Sequence, residues 1–126
     1  MERTDLEAWV DRYMWAWSTN DPGDIGDLFT DDARYYTAPH REPWEGRDGI
    51  VAGWIGRKDD PSTWKFRYEV LGIDGDAGFV RGWTDYTDDT DYSNLWVIRL
   101  AEDGRCSEFI EWWMAVEEDQ QASASP

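Results

Sequence analysis

Apolar positions follow two different periods along the chain. In the first half they recur at helical spacing, as on one face of an amphipathic helix. From Thr63 onward, aromatic and branched residues alternate with charged ones, which is typical of a half-buried strand. The pattern therefore predicts helices first and a sheet afterwards. The apolar face of the first helix comprises Leu6, Trp9, Val10, Tyr13 and Trp17.

Three helices are predicted in the first half. The first starts at a capping box of Thr4 and Glu7, and the second starts at Asp21, followed by a proline at its first helical position. A turn at residues 30–32 ends the second helix, and the third spans residues 46–55. A short strand at residues 33–37 and a proline-containing loop at residues 38–45 separate the last two helices.

Four further strands form a meander with turns near residues 74–75, 88–90 and 103–104. This element order predicts an α+β fold: a cone-shaped barrel of a curved, mostly antiparallel sheet packed on three N-terminal helices. Residues 1–116 form a single domain, and the polar tail at 117–126 is predicted to be disordered. The first of these four strands starts at Thr63, and the other three span residues 77–87, 92–100 and 105–114.

Composition narrows the classes of partner. The 126-residue chain has a net charge of −16, which disfavours nucleic acid and anionic membrane surfaces. Its single cysteine, Cys106, excludes an internal disulfide and is expected to be a buried, inert thiol. With neither a long apolar run nor a signal-peptide pattern, we expect a cytoplasmic protein. The 10 tryptophans fit either an aromatic core or the lining of a ligand cavity or subunit interface.

Polar side chains lie among the aromatics of the last three strands. Arg81 and Asp85 share a strand, Asn94 follows on the next, and Glu111 lies on the last. Because side chains alternate along a strand, these polar residues share a face with neighbouring aromatic residues. Two residues of the predicted helices, Tyr13 and Trp54, are expected to face the same space. We therefore hypothesise an aromatic-walled pocket for a small apolar molecule. The additional lining residues are Tyr13, Trp54, Trp83, Trp96, Phe109 and Trp113.

Two carboxylates beside one guanidinium can divide acid and base roles, because the ion-paired one stays charged while the desolvated one rises in pKa. An alternative remains open, in which Arg81, Asp85 and Glu111 form an ion network on the outer face at a dimer interface. Strand phase decides between them, since Glu108 and Trp112 occupy the opposite face of the last strand.

His40, the only histidine, is a further candidate for proton transfer or a solvated loop residue. One histidine and one cysteine do not make an ordinary zinc site, and no phosphate-loop or dinucleotide glycine motif occurs. We accordingly expect neither a metal nor a cofactor.

Several motifs resemble those of the nuclear transport factor two-like superfamily, and of its SnoaL-like branch in particular. They are the segment 21–33, Pro43-Trp-Glu-Gly46 before a helix, the turns at 74–75 and 103–105, and Tyr92-Ser-Asn-Leu-Trp96. The resemblance covers about residues 5–115. It implies the cone fold and a homodimer that pairs through the outer face of the sheet. The superfamily includes isomerases, dehydratases, cyclases, epoxide hydrolases and non-enzymatic binders, so the fold leaves the activity open.

Ketosteroid isomerases of this fold use a tyrosine, an aspartate base and a protonated aspartate. The resemblance places the tyrosine at Tyr13, but it places the base at Thr37 and the second donor at or near Trp96, so steroid isomerase activity is not expected.

Limonene-epoxide hydrolases instead use two aspartates and an arginine. Those roles would fall on Glu111 and Asp85, with Trp83 at the arginine position and Arg81 one step further along the same face.

The sequence thus predicts a small-molecule-binding protein that could be a cofactor-free acid/base hydrolase, isomerase or cyclase acting on an apolar substrate. The alternative is a non-catalytic ligand-binding or dimerisation module of the same fold.

Overall fold

The computed structural model describes residues 1–87 and 90–116 and has the predicted α+β architecture. Helices lie first along the chain, and the long strands follow. The helices are α1 (Arg3–Thr19), α2 (Pro22–Gly26) and α3 (Gly46–Gly56), with a 3₁₀ turn at Pro61–Thr63. The strands are β1 (Phe29–Tyr36), β2 (Trp44–Glu45), β3 (Trp64–Asp74), β4 (Ala77–Tyr86), β5 (Tyr92–Leu100) and β6 (Cys106–Ala115).

The strands form one open, curved sheet in the order β2-β1-β6-β5-β4-β3. Strands β3 to β6 make the predicted antiparallel meander, whereas β1 pairs with β6 in parallel. Left-handed glycines, Gly75 (φ 62°) and Gly104 (φ 84°), lie in two of its tight turns. The concave face of the sheet is turned toward the helices.

The core lies between α1 and this concave face. The five apolar residues predicted for the face of α1 are all buried. Trp9 is fully buried, and its indole Nε1 donates a hydrogen bond to the Leu28 carbonyl at 3.0 Å, so this large ring leaves no unpaired donor. In this core, aromatic rings from the helices pack against aromatic rings from the concave face of the sheet.

Two local predictions were wrong. Helix α1 begins at Arg3, one residue before the predicted cap at Thr4, because the Asp5 carboxylate accepts the free backbone N–H of Glu2 at 2.8 Å. The predicted turn at 30–32 lies inside β1. The register between β1 and β6 shifts between Phe29 and Arg34, and this irregularity leaves the exposed Asp31 and Asp32 side chains in water.

The predicted turn at 88–90 lies partly, and the predicted disordered tail at 117–126 wholly, outside the described residues. Within the described residues, every helix is too short or too polar to cross a membrane.

Candidate functional site

A cavity of about 670 Å³ opens between the helices and the concave face of the sheet. Its volume is in the range of small-molecule sites. Aromatic rings from α1, β1, α3 and the meander contribute to its wall, and hydroxyl, amide and charged groups interrupt them. The rings include Trp17, Tyr35, Trp54, Tyr86, Trp96 and Trp113.

Glu111 of β6 lies in the cavity wall between two hydrogen-bond donors from β5. Its Oε2 accepts Asn94 Nδ2 at 2.6 Å and Trp96 Nε1 at 3.0 Å. The Thr84 hydroxyl donates to Asn94 Oδ1 at 2.7 Å, which orients the amide so that its NH₂ group points at Glu111. None of the described residues donates a hydrogen bond to Oε1, so this second oxygen is available to a ligand.

Burial raises the pKa of the Glu111 carboxyl above its ordinary value, although the Trp96 and Asn94 hydrogen bonds and the charge of Arg57 oppose the rise. Two N–H donors on Oε2 make that oxygen an acceptor, so a proton on the neutral acid resides on Oε1. The arrangement can therefore present a carboxylic acid proton to the cavity and take it back.

A pair of tyrosines lies beside this carboxyl. The hydroxyl oxygens of Tyr13 on α1 and Tyr35 on β1 are 2.7 Å apart, and both side chains line the cavity. Burial raises the pKa of both phenols, and the nearby Glu111 charge raises them further. Both therefore stay protonated at neutral pH. Because only one can donate to the other, the pair retains one O–H that can donate to a ligand.

The cavity mouth is organised around Asp59, in the loop after α3. Its Oδ2 accepts the Tyr86 hydroxyl at 3.0 Å and Trp17 Nε1 at 3.2 Å, while its backbone carbonyl accepts Asn20 Nδ2 at 2.9 Å. Burial, followed by the charge of Asp59, raises the pKa of the Tyr86 phenol. Cationic side chains also line the mouth: Arg41, Arg57 and Lys58.

Residues 10–109 match the sequence profile of the SnoaL-like domain family. The chain belongs to this family. No curated protein was found to match the chain. The match begins within α1 and ends at residue 109 in β6, so the cavity residues Glu111 and Trp113 lie just after it.

Solved structures support the same fold. An NTF-2 like protein from Burkholderia xenovorans superposes with a TM-score of 0.71 at 14% identity, covering 97% of this chain and 94% of that one. A steroid delta-isomerase from Pseudomonas aeruginosa gives 0.65 at 16% identity, with 90% and 82% covered. The epoxide hydrolase/cyclase-like enzyme SalBIII, which acts in pyran ring formation in salinomycin, gives 0.70 at 15% identity, with 90% and 93% covered.

Six of the candidate residues line the cavity of this SnoaL-like domain, and they come from α1, α3, β5 and β6. On β5 and β6, the phase chosen for the inward residues agrees with the structure, since Asn94 and Glu111 face the helices. These residues are Tyr13, Trp54, Asn94, Trp96, Glu111 and Trp113. Their roles in binding or catalysis stay predictions.

Placing Arg81, Trp83 and Asp85 in the same pocket was wrong. Strand β4 turns Gly82 and the buried Thr84 inward, so the three alternate residues lie on the outer face. Arg81 and Asp85 are exposed. The Arg81 guanidinium lies 4.6 Å from the centre of the Trp83 ring, which gives it a cation–π contact distant from Glu111.

Two further candidates lie outside the cavity wall. Phe109 is fully buried beneath the tyrosine pair, with its ring 4.6 Å from that of Tyr35 and 5.5 Å from that of Tyr13. It supports the floor and is not among the lining residues. His40 is exposed on the loop before β2 and does not line the cavity, whereas its neighbour Arg41 does.

Sequence reasoning missed Tyr35, Asp59 and Tyr86. Tyr35 lies two residues after the apolar Ala33 in the predicted first strand, so the two side chains share one face. This spacing is a signal that could have placed Tyr35 inward. Tyr86 would have followed from the correct phase of β4. Asp59 lies in a polar loop that carries no periodic signal. Among the described residues, no His, Cys, Asp and Glu side chains form a group of three that could hold a metal ion.

Proposed function

We propose that this protein is an acid/base enzyme acting on a largely apolar small molecule, as an isomerase, hydrolase or cyclase. The observation that carries the proposal is the Glu111 carboxyl, held by Asn94 and Trp96 in the cavity wall with its pKa raised. A proton-transfer group is most effective when its pKa approaches the working pH.

The tyrosine pair supplies the complementary group. An O–H from Tyr13 or Tyr35 can donate to a carbonyl or epoxide oxygen while Glu111 Oε1 transfers a proton elsewhere on the same molecule. Fixed donors in a buried site stabilise a developing oxyanion more than water does. The lining rings would bind the apolar body of the substrate.

Isomerase and cyclase activities are attributed to two of the structural neighbours, which supports this class of chemistry without selecting a substrate. The open cavity favours a ligand-binding role over a module whose interior is filled by tryptophan rings.

The test is turnover on a panel of enolisable ketones and epoxides by wild type, Glu111→Gln and Asp85→Asn. The amide in Glu111→Gln keeps the shape and an acceptor oxygen but cannot transfer the proton. We expect it to lower kcat by about 10²- to 10⁴-fold. Asp85→Asn is the matched control, because Asp85 is an exposed carboxylate on the other face of the sheet. Equal rates for wild type and Glu111→Gln would reject the role of Glu111.

We also propose that the outer face of the sheet pairs with a second copy of the chain. This face carries exposed apolar side chains from β5 and β6, namely Leu95, Trp112 and Met114. Sedimentation velocity on wild type and Trp112→Asp would test it. Wild type is expected to sediment as a dimer and the variant as a monomer, and a monomeric wild type at high micromolar concentration would contradict the pairing.

A further inference from the structure

The charge balance at the cavity differs from that of the rest of the chain. The full sequence has 28 Asp and Glu against 12 Lys and Arg. Among the residues that line the cavity, the cations Arg41, Arg57 and Lys58 face only two carboxylates, Asp59 and Glu111. An acidic protein thus concentrates positive charge at the entrance to its own cavity.

These cations have no ion-pair partner among the residues that the structure describes. Arg41, Arg57 and Lys58 are exposed, and none makes an ion pair with a described residue. Elsewhere on the surface, Arg99 and Arg105 pair with carboxylates within 4.0 Å, whereas the Arg81 guanidinium contacts the Trp83 ring. Cations at the mouth are therefore available to a negatively charged ligand.

The two carboxylates of the cavity do not cancel this field. Asp59 already uses Oδ2 to accept hydrogen bonds from Trp17 and Tyr86, which hold its carboxylate against the wall. Burial favours the neutral form of Glu111. The charge of Arg57 reaches the interior, since it also acts to lower the pKa of Tyr35 against the larger effect of burial.

We propose that the substrate is an amphipathic organic anion. Arg57, with Arg41 and Lys58, binds its anionic oxygen group at the mouth, and the rings bind its apolar body. This inference rests on the proposed function, because it names the class of molecule delivered to Glu111. A guanidinium is well suited to the task, since its N–H groups match the oxygens of a carboxylate, sulfonate or phosphate.

The test uses two fluorescent probes that share one ring system. 8-Anilinonaphthalene-1-sulfonate carries an anionic group, whereas N-phenyl-1-naphthylamine lacks it. Both are titrated into wild type, Arg57→Gln, the triple variant Arg41→Gln/Arg57→Gln/Lys58→Gln, and Arg81→Gln. Arg81→Gln is the matched control, because it removes an exposed arginine from the outer face. A fifth variant, Thr37→Trp, adds bulk to a residue of the cavity wall.

We expect Arg57→Gln to weaken binding of the sulfonate probe about fivefold, and the triple variant to weaken it further, as for a charge-assisted contact in partial contact with water. Binding of the neutral probe should stay within about twofold of wild type in both, because apolar burial does not depend on the charge. Arg81→Gln should change neither probe, and Thr37→Trp should weaken both.

Sulfonate binding that is unchanged in the triple variant would overturn the inference. If the neutral probe still responds to Thr37→Trp, the ligand cavity and the proposed function stand and only the anionic substrate fails. If neither probe responds to Thr37→Trp, both proposals fail together. Circular dichroism of each variant checks that the fold is retained, which is expected because the substituted cations are exposed.

Discussion

The two faces of the curved sheet carry similar residues in opposite environments. Trp96 on the concave face is 2% exposed, whereas Trp112 on the convex face is 51% exposed. In the register of β5 and β6, Trp96 lies opposite Glu111 and Leu95 lies opposite Trp112, so one step along either strand exchanges one environment for the other. Residue type alone therefore does not identify the site; the side on which the helices pack does.

The same contrast separates two carboxylates. Glu111 meets an amide and an indole donor in the cavity wall, and burial raises its pKa. Asp85 is exposed on β4, opposite Lys65 of β3. Water solvates an exposed carboxylate and screens its interaction with neighbouring charges, so such a group contributes little to stability. Glu111 and Asp85 therefore differ in their chemistry because the helices cover only one face of the sheet.

Replacing a tryptophan on each face should give the largest difference. Trp96→Ala removes a buried ring that contacts the rings of Tyr13 and Phe66 and donates to Glu111. We expect a loss of about 3–5 kcal/mol in the free energy of unfolding for Trp96→Ala. Trp112→Ala at the exposed position should cost less than about 1 kcal/mol in the monomer. Urea denaturation followed by far-UV circular dichroism measures both.

Measuring the stability of the two tryptophan variants at several protein concentrations extends this comparison. If a second copy covers the convex face, the cost of Trp112→Ala should grow with concentration because dimerisation stabilises the folded state by mass action. Similar losses for the two variants at concentrations where both are monomeric would contradict the assignment of inside and outside.

Two glycines should give a smaller difference. A Cβ on Gly82, which lies in β4 on the concave face, would approach the Phe66 ring to 2.5 Å, whereas a Cβ on Gly72 of β3 would meet nothing within 4 Å. Gly82→Ala forces a packed ring to move and should cost about 1–3 kcal/mol. Gly72→Ala should be neutral or stabilise by up to about 1 kcal/mol, since it restricts the unfolded chain.

Thermal unfolding of the two alanine variants beside wild type provides the measurement. Equal melting temperatures for Gly82→Ala and Gly72→Ala would mean that the concave face is packed more loosely than the Phe66 contact indicates.

Much of the fold could be predicted from periodicity. The buried face of α1 and the four-strand meander follow from local patterns, because side-chain spacing reports secondary structure directly. On β5 and β6, the pocket hypothesis assumed the phase that the structure has, but alternation left that phase open, because Glu108 and Trp112 occupy the other face of the last strand. The shared motifs then connected these elements to the cone fold, which the SnoaL-like match confirms.

The rest of the site depends on contacts between distant segments. In β4, apolar and polar residues occur on both faces, so alternation grouped Arg81 with Asp85 correctly but left their side undetermined. The tyrosine pair joins residues 22 positions apart, and Trp17 and Asp59 are 42 positions apart. No local pattern encodes such distances, since they arise from packing α1 and the loop after α3 onto the sheet.

The pH dependence of stability tests the concave environment of Glu111 most finely. Its folded pKa is raised above the ordinary value of 4.5, so the native state binds the proton more tightly than the unfolded chain. That contribution to stability is complete below about pH 4.5 and is lost as the pH rises through the folded pKa. Glu111→Gln keeps an uncharged side chain at every pH. Relative to wild type it should therefore gain stability as the pH rises, by up to about 1.4 kcal/mol per pH unit within that window.

Glu108→Gln removes a carboxylate from the convex face of the same strand, where Glu108 Oε1 lies 3.7 Å from Arg99 Nε. Subtracting its effect corrects for the loss of one negative charge from a chain of net charge −16. Urea denaturation of the three proteins between pH 4 and pH 8 gives the difference. A Glu111→Gln curve parallel to that of wild type would mean that the carboxyl is as well solvated in the cavity as in the unfolded chain, and its proposed role in proton transfer would lose its physical basis.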